Sequence, residues 1–188
     1  MTTTEEVGRI LTTAPTKHDR ILFFAALLSR ESGSDVVVVG GSAIEVYTRG
    51  KYVSGDIDIR AERGPVHRTL KRWGFQDRGR LWTRSDWGVA VDVVGDRYSG
   101  DLYRATTVST PYGHVRIAVV EDLFVKRLAA AKHWRVRDAL KEATLLWNGY
   151  RDAMDDRYLA SKAQEYHVDD LLAEFQKQPR RSKSVSKA

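Results

Sequence analysis

The chain has 188 residues, of which 42% are apolar and 30% charged, a composition typical of one globular domain with or without a small helical addition. It contains no cysteine, which excludes disulfides and thiolate metal sites, so a bound metal would need oxygen or histidine ligands. The net charge of +6 comes mostly from residues 177–188, which hold five basic and no acidic side chains beside a nearly neutral body.

Apolar periodicity and helix-breaking residues predict a mixed order of elements up to about residue 119. A helix over 17–32 ends at Ser-Gly-Ser, and a short strand over 35–39 leads into Gly40-Gly41-Ser42. The other elements predicted in this part are a helix over 42–49, a strand over 56–61, a helix over 64–73, paired strands over 75–80 and 81–84, a strand over 88–94, and a hairpin with strands over 106–109 and 114–119.

From Glu121 the pattern changes to helical spacing and keeps it to about residue 176. Glu121 and Asp122 begin the first of these helices, where acidic side chains suit the positive end of the helix dipole. We therefore predict an α/β (α+β) fold, in which a mixed sheet is flanked by helices and followed by a helical part. The predicted parts are a core with an N-terminal helix over 1–120, a helical subdomain over 121–176, and a disordered basic tail over 177–188.

A glycine-rich turn and a pair of acids indicate phosphate chemistry in the first part. An apolar run that ends in Gly40-Gly41-Ser42 is typical of a buried strand followed by a tight turn of phosphate size. After thirteen intervening residues, Asp56 and Asp58 stand at i and i+2 of a predicted strand, so their side chains point to one face. Two adjacent carboxylates raise each other's pKa unless a cation lies between them. Either motif alone also fits an ordinary turn or a surface pair, and only their combination favours catalysis.

A third acid, Asp92, lies among the apolar residues of the strand predicted over 88–94. Because a buried and unpaired carboxylate is costly, we expect Asp92 to face the same polar cleft as Asp56 and Asp58; an exposed position on an edge strand is the alternative. Three oxygen ligands without cysteine or clustered histidine favour Mg²⁺ or Mn²⁺. Divalent metals held in this way suit in-line displacement at phosphorus, with an NTP as co-substrate.

These residues bring the chain close to a known family. The combination of Gly40-Gly41-Ser42, Asp56-Ile57-Asp58 and Asp92 resembles the signature of the polymerase-beta-like nucleotidyltransferase superfamily. In particular, the chain is similar to the minimal nucleotidyltransferases related to the toxins of AbiE and MenAT toxin–antitoxin systems, including a branch known as a domain of unknown function. The segments that carry this likeness are GGSAIEVYTRGKYVSGDIDI and EDLFVKRLAAAKHW, and the resemblance covers about residues 35–150.

The resemblance implies a fold and a role for each matching residue. It implies the mixed sheet of the polymerase-beta-like nucleotidyltransferases, with Gly40, Gly41 and Ser42 at the triphosphate. Asp56 and Asp58 would hold both metals, and Asp92 would bind the second metal and deprotonate the acceptor hydroxyl. The family also has a lysine that grips the triphosphate and a later Arg-Asp pair. Arg127 or its neighbour Lys126 matches the lysine, and Arg137-Asp138 match the pair, so the catalytic set implied here also includes Lys126, Arg127 and Asp138.

The activity expected from this resemblance is a magnesium-dependent nucleotidyltransferase reaction. The enzyme would move an NMP from an NTP such as ATP to a macromolecular acceptor, most readily RNA or the 3′ end of a tRNA, as the toxin of a toxin–antitoxin system with a cognate antitoxin protein as partner. A protein hydroxyl or a small molecule is the alternative acceptor, and a non-catalytic regulator that binds nucleotide or RNA is the alternative function. No apolar run approaches the roughly 20 residues that span a bilayer, and no signal-peptide layout is present, so we expect no membrane partner and a cytoplasmic location.

A basic segment follows the strand that carries the acids. Residues 60–84 contain eight arginines and lysines against two acids. This excess could guide a polyanionic acceptor or nucleotide to the metal site, or it could be a solvated helix face, and the spacing alone leaves both interpretations open. The base of the NTP and the oligomeric state also stay open.

Overall fold

The computed structural model describes residues 2–177 and is a mixed α/β protein, which confirms the predicted fold class. The chain divides into two compact units, the first ending at Val119 and the second beginning at Val120. The first unit contains a seven-stranded mixed sheet with helices, and the second contains helices. In the described part of the chain, no helix is both long and apolar enough to cross a membrane. The tail predicted over 177–188 lies outside the described residues except for Lys177.

The elements of the first unit are α1 (Thr4–Thr12), α2 (Lys17–Ser32), β1 (Val37–Val38), α3 (Gly40–Thr48), β2 (Ile57–Arg60), α4 (Arg63–Arg72), β3 (Gln76–Arg78), β4 (Leu81–Arg84), a 3-10 turn (Ser85–Trp87), β5 (Val89–Gly95), β6 (Thr106–Thr110) and β7 (Gly113–Ile117). Those of the second unit are α5 (Val120–Trp134), α6 (Ala139–Tyr150), a 3-10 turn (Arg151–Ala153), α7 (Asp156–Glu165) and α8 (Asp169–Lys177).

The order of helices and strands predicted from the sequence is confirmed, with differences at α1, α3 and β2. Strand β2 begins at Ile57, so Asp56, predicted as the first residue of this strand, lies in the loop before it. Helix α1 is an addition, and its signal is a capping pattern in which Thr3 accepts a hydrogen bond from the backbone N–H of Glu6 at 3.2 Å. Only nine residues long, α1 is stable because Val7, Ile10 and Leu11 are buried in the core. Helix α3 begins at Gly40 rather than at Ser42, directly after the sheet.

The strand order of the sheet is β3-β4-β5-β2-β1-β7-β6. Strands β2 and β5 are parallel neighbours, β1 is antiparallel to β2, and the two edges of the sheet are the hairpins β3–β4 and β6–β7. Asp58 on β2 is in register with Asp92 on β5. The sheet therefore places two of the sequence-predicted acids on adjacent strands at the same level, because parallel strands in register carry equivalent positions side by side.

Apolar side chains of α2 and of the sheet form the core of the first unit. Phe24 is fully buried and its ring lies 6.1 Å from that of Trp73, which ends α4, and 6.0 Å from that of Phe75. Burying such side chains contributes about 25 cal/mol per Å² of apolar surface. These contacts pack α2 against the end of α4 and the residue that precedes β3.

The second unit has a core of its own. The rings of Phe124, Trp147 and Phe175 contact one another at centroid distances of 5.1 to 5.7 Å, which joins α5, α6 and α8. Buried Glu121 on α5 accepts a hydrogen bond from the backbone N–H of Asp155 at 2.8 Å, before the start of α7. Aromatic packing and a satisfied buried acid thus stabilise this helical unit.

Candidate active site

The candidate site begins where β1 leads directly into α3. Gly40 has a φ of +55°, and a Cβ atom at this position would lie 2.7 Å from Oδ2 of Asp58. A side chain is therefore excluded both by the left-handed backbone and by the carboxylate that lies against it. Residue Val39, which precedes the helix, provides no side-chain cap, so the N–H groups of the first turn need another acceptor.

Asp58 is that acceptor. Its Oδ2 accepts hydrogen bonds from the backbone N–H groups of Gly41 at 2.9 Å and Ser42 at 3.3 Å. In return, the Ser42 hydroxyl accepts the backbone N–H of Asp58 at 2.8 Å and donates to the carbonyl oxygen of Asp56 at 2.8 Å. Ser42 is fully buried. The N-terminus of α3 and the start of β2 are thus joined by four hydrogen bonds, and the groups predicted to bind phosphate are in contact with the predicted metal ligands.

The three acids predicted from the sequence lie together. Asp56, Asp58 and Asp92 each offer a carboxylate oxygen, and these atoms all lie within 4.8 Å of one another. Asp56 and Asp58 are half-buried and Asp92 is buried, so the alternative that Asp92 is exposed on an edge strand is wrong. Oxygen atoms at this separation can ligate one hard divalent cation or a pair of them.

The cluster is electrostatically crowded. Burial is the largest cause that raises the pKa of Asp58 from 3.8 to about 6, and the charges of Asp56 and Asp92 raise it further, against the hydrogen bonds from Gly41 and Ser42, which lower it. Burial also raises the pKa of Asp92. Three acids held this close without a cation disfavour full ionisation, so the arrangement favours binding of positive charge.

Arg80 supplies one positive charge at the cluster. Its Nε lies 2.8 Å from Oδ1 of Asp92, although two thirds of its side chain is exposed. Arg80 stands in the turn between β3 and β4, and its carbonyl oxygen accepts the backbone N–H of Val93 at 3.2 Å. Sequence reasoning placed Arg80 only in the general basic segment. The pair depends on β4 lying next to β5, which no local pattern reveals.

Glu45 is a second residue that sequence reasoning missed. It is 1% exposed on α3, and its Oε2 accepts the backbone N–H of Ser54 at 2.6 Å. The Ser54 hydroxyl donates to the carbonyl oxygen of Asp56 at 2.9 Å. Glu45 therefore fixes the loop that carries Asp56. A charged residue inside the otherwise apolar run Ala43–Tyr47 is the one local signal that could have identified it.

Four of the eight basic residues in the segment 60–84 form ion pairs with acids. Arg63 forms an ion pair with Asp96 at 3.5 Å, and Arg80 is paired with Asp92 as described. Two further ion pairs in this segment are Arg72–Glu31 at 3.3 Å and Arg84–Asp86 at 3.0 Å. These contacts favour a structural role for much of the segment over a free polyanion-binding surface.

The remaining predicted residues lie in the second unit. Nε of Arg127 on α5 lies 2.8 Å from Oε2 of buried Glu142 on α6, and burial is the main cause that raises the pKa of Glu142. Exposed Asp138 forms an ion pair with Lys141 at 2.8 Å, and Lys126 precedes Arg127 on α5. Arg127 thus has a local partner that joins two helices. The triphosphate grip assigned by resemblance to Lys126 or Arg127, and the catalytic role of Asp138, stay predictions.

Comparison of the chain with protein-family models, with curated proteins and with solved structures found no significant match.

Proposed function

We propose that this protein is a metal-dependent nucleotidyltransferase of the polymerase-beta-like type. The observation that supports this best is the cluster of Asp56, Asp58 and Asp92, whose carboxylate oxygens lie within 4.8 Å of one another beside the N-terminus of α3. A helix N-terminus offers N–H groups and a positive dipole to a phosphate, while carboxylates hold the cation that phosphate requires. The two features together fit an NTP better than either fits alone.

The residues of the cluster fit Mg²⁺ or Mn²⁺. All three are oxygen ligands. The pKa of Asp58 is raised by burial first and then by the charges of Asp56 and Asp92, and a divalent cation would relieve that repulsion. When bound, such an ion would neutralise the triphosphate and lower the pKa of an attacking hydroxyl. Asp56 and Asp58 would hold it, and Asp92 would complete the set.

The hydrogen bonds of Asp58 suggest how the turn and the acids cooperate. Gly41 and Ser42 donate their N–H groups to Oδ2 of Asp58. A rotation of this carboxylate toward a cation would release both groups, which could then donate to a phosphate oxygen. The buried Ser42 hydroxyl, engaged with the backbone at Asp56 and Asp58, would keep the turn in place.

The proposed reaction is transfer of an NMP to an acceptor hydroxyl. The hydroxyl oxygen attacks the α-phosphorus, and its proton passes to the carboxylate of Asp92, whose basicity is increased by burial. The bond between the α-phosphorus and the oxygen that leads to the β-phosphorus breaks, and pyrophosphate leaves with the electron pair. RNA or the 3′ end of a tRNA is the acceptor we favour, in a toxin whose cognate antitoxin blocks the activity.

The test is a label-transfer assay with separate labels on the donor. The protein is incubated with Mg²⁺, total RNA and each NTP carrying ³²P on the α- or the γ-phosphate. Label from the α-position, and none from the γ-position, should appear in RNA. Asp56→Asn should abolish it, and Asp96→Asn, which changes an exposed acid beyond β5, should not. Absence of transfer from every NTP to RNA, protein or small molecules would refute the enzyme proposal; label in protein would change the acceptor.

The Arg80–Asp92 ion pair favours one other candidate function, a regulator that binds nucleotide or RNA without catalysis. A permanent ion pair would keep the third carboxylate from binding metal. In that case the wild type and Asp56→Asn would be equally inactive in the label-transfer assay, while nucleotide or RNA binding would persist.

A further inference from the structure

A partly polar cavity lies beside Asp56. It has a volume of about 70 Å³, and its lining includes Asp56 but neither Asp58 nor Asp92. Its walls come from the first turns of α2, from Glu45 on α3, from the loop before β2 and from the start of β5. Asp56 lines this cavity and also belongs to the cluster of three acids, so a group bound in the cavity would lie next to the reacting phosphate.

Glu45 lines this cavity and has a buried carboxylate oxygen without a hydrogen-bond partner among the described residues. The side chain is almost fully buried, and while Oε2 accepts the Ser54 N–H, Oε1 accepts no hydrogen bond from the described residues. A buried carboxylate oxygen without a hydrogen-bond donor costs free energy and is uncommon in folded proteins. An acceptor left without a donor, on a side chain that lines the cavity, fits a ligand that offers an O–H or N–H group after a small rotation of the Glu45 carboxylate.

Two positive side chains line the same cavity. Nε of Arg20 is buried without a hydrogen-bond partner, and neither Arg20 nor exposed Lys17 forms an ion pair within residues 2–177. Both stand in the first turns of α2, where the helix dipole adds positive potential. Asp19 in the same turn accepts a hydrogen bond from the Thr16 hydroxyl at 2.6 Å. The charge available beside Asp56 thus comes from α2, in contrast to the paired arginines of the segment 60–84.

We infer that this cavity is the subsite for the acceptor and that it takes a sugar–phosphate unit of an RNA strand; this rests on the proposed nucleotidyl transfer. The phosphate oxygens would contact Lys17 and Arg20, and a ribose hydroxyl would donate to Oε1 of Glu45. A cavity of this size has room for a few water-sized groups, which matches the oxygens at the edge of one ribonucleotide. A neutral peptide segment with a hydroxyl would leave the two cations unmatched.

The test compares binding of RNA and DNA by fluorescence anisotropy. The probe is a short single-stranded RNA labelled at its 5′ end, with a DNA of the same sequence. The double variant Lys17→Gln, Arg20→Gln should weaken RNA binding at least about tenfold at low salt. It should also reduce the salt slope by about 1.4, since each of two lost phosphate contacts contributes about 0.7 on a single strand. Glu45→Gln should instead remove the preference for RNA over DNA, because the 2′-hydroxyl distinguishes the two.

The matched control changes the competing basic surface. Arg68→Gln, Lys71→Gln alters two exposed cations of α4 and should leave RNA affinity nearly unchanged. Affinity for a non-hydrolysable NTP should stay at the wild-type level in the α2 double variant, and thermal melting checks that each variant folds.

The inference would be overturned if Arg68→Gln, Lys71→Gln lost as much RNA affinity as Lys17→Gln, Arg20→Gln. Loss of NTP affinity in Lys17→Gln, Arg20→Gln would also overturn it. So would an unchanged preference for RNA over DNA in Glu45→Gln. The proposed function is tested separately by label transfer. If Lys17→Gln, Arg20→Gln binds RNA with wild-type affinity and still transfers label, the inferred acceptor subsite is refuted and the proposed enzymatic function stands. If the wild type binds RNA but transfers no label from any NTP, the proposed enzymatic function is refuted.

Discussion

Asp58→Asn should stabilise the metal-free protein at neutral pH. Burial and the neighbouring acids raise the pKa of Asp58 in the folded protein from 3.8 to about 6. The folded state therefore binds this proton more tightly than the unfolded state. Below the unfolded value both states are protonated and no stability is lost. As the pH rises from there to the folded value, stability falls, and above about pH 6 the loss is complete.

The size of this loss follows from the two pKa values. A rise from 3.8 to about 6 corresponds to ~3 kcal/mol at about 1.4 kcal/mol for each tenfold change in proton affinity. This is an upper limit, because Asp58 is partly exposed and water screens its charge. Asparagine keeps an oxygen that can accept from Gly41 and Ser42. We therefore expect a gain of about 1 to 3 kcal/mol near neutral pH and almost none at about pH 3.5.

Urea unfolding of chelator-treated protein at the two pH values measures this difference. Asp86→Asn is the control, since the pKa of exposed Asp86 is lowered chiefly by its hydrogen bond with Arg84, and the substitution should bring no gain at either pH. Addition of Mn²⁺ should stabilise the wild type and leave Asp58→Asn unchanged. A gain of equal size at both pH values, or no gain near neutral pH, would refute the view that crowded carboxylates destabilise the empty cluster.

Two further variants examine the groups around Asp58. Arg80→Gln should bind Mn²⁺ several-fold more tightly than wild type in calorimetric titration, because the cation no longer competes with the guanidinium for Asp92. The control Arg78→Gln, on the same hairpin, should bind Mn²⁺ as the wild type does. Unchanged affinity in Arg80→Gln would contradict this prediction. Gly40→Ala should lose more stability in thermal or urea unfolding than Gly33→Ala. Both glycines have a positive φ, so alanine costs about 1–2 kcal/mol at either position, but only at Gly40 does the new Cβ also meet the Asp58 carboxylate. Equal losses would show that the carboxylate moves aside freely.

The sequence pattern of single strands predicts the three acids of the site but not the contacts of Arg80 and Glu45. The alternation of a strand predicts that Asp56 and Asp58 share a face, although in the structure Asp56 lies in the loop just before β2 and only Asp58 lies on the strand. The high cost of burying a lone acid predicts that Asp92 joins them. Both deductions use properties of one strand at a time. Arg80 and Glu45 act through neighbours that are set by sheet order and by the packing of α3 on a loop, so their roles became visible only in three dimensions.

The same distinction applies to the fold. Periodicity predicts α2 and the strands because each buries a long or regular apolar face, as Phe24 does in the core. Helix α1 was missed because nine residues carry too little periodic signal, although Thr3 and Glu6 form its cap. The start of α3 was placed two residues late because glycines are rare in helices, while here Gly40 is required by the approach of Asp58.

Asp58 and Arg80, which both lie at the carboxylate cluster, differ in how much substitution their surroundings allow. Asp58 is bound to α3 through buried Ser42, so changes there would disturb the core of the first unit. Arg80 stands in an exposed turn at the sheet edge, next to Gly79, where insertions and substitutions are tolerated. Under the proposed function, substitutions in this one surface turn would change the affinity for the cation, whereas the N-terminus of α3, which we propose binds phosphate, would be constrained by its bonds to the core.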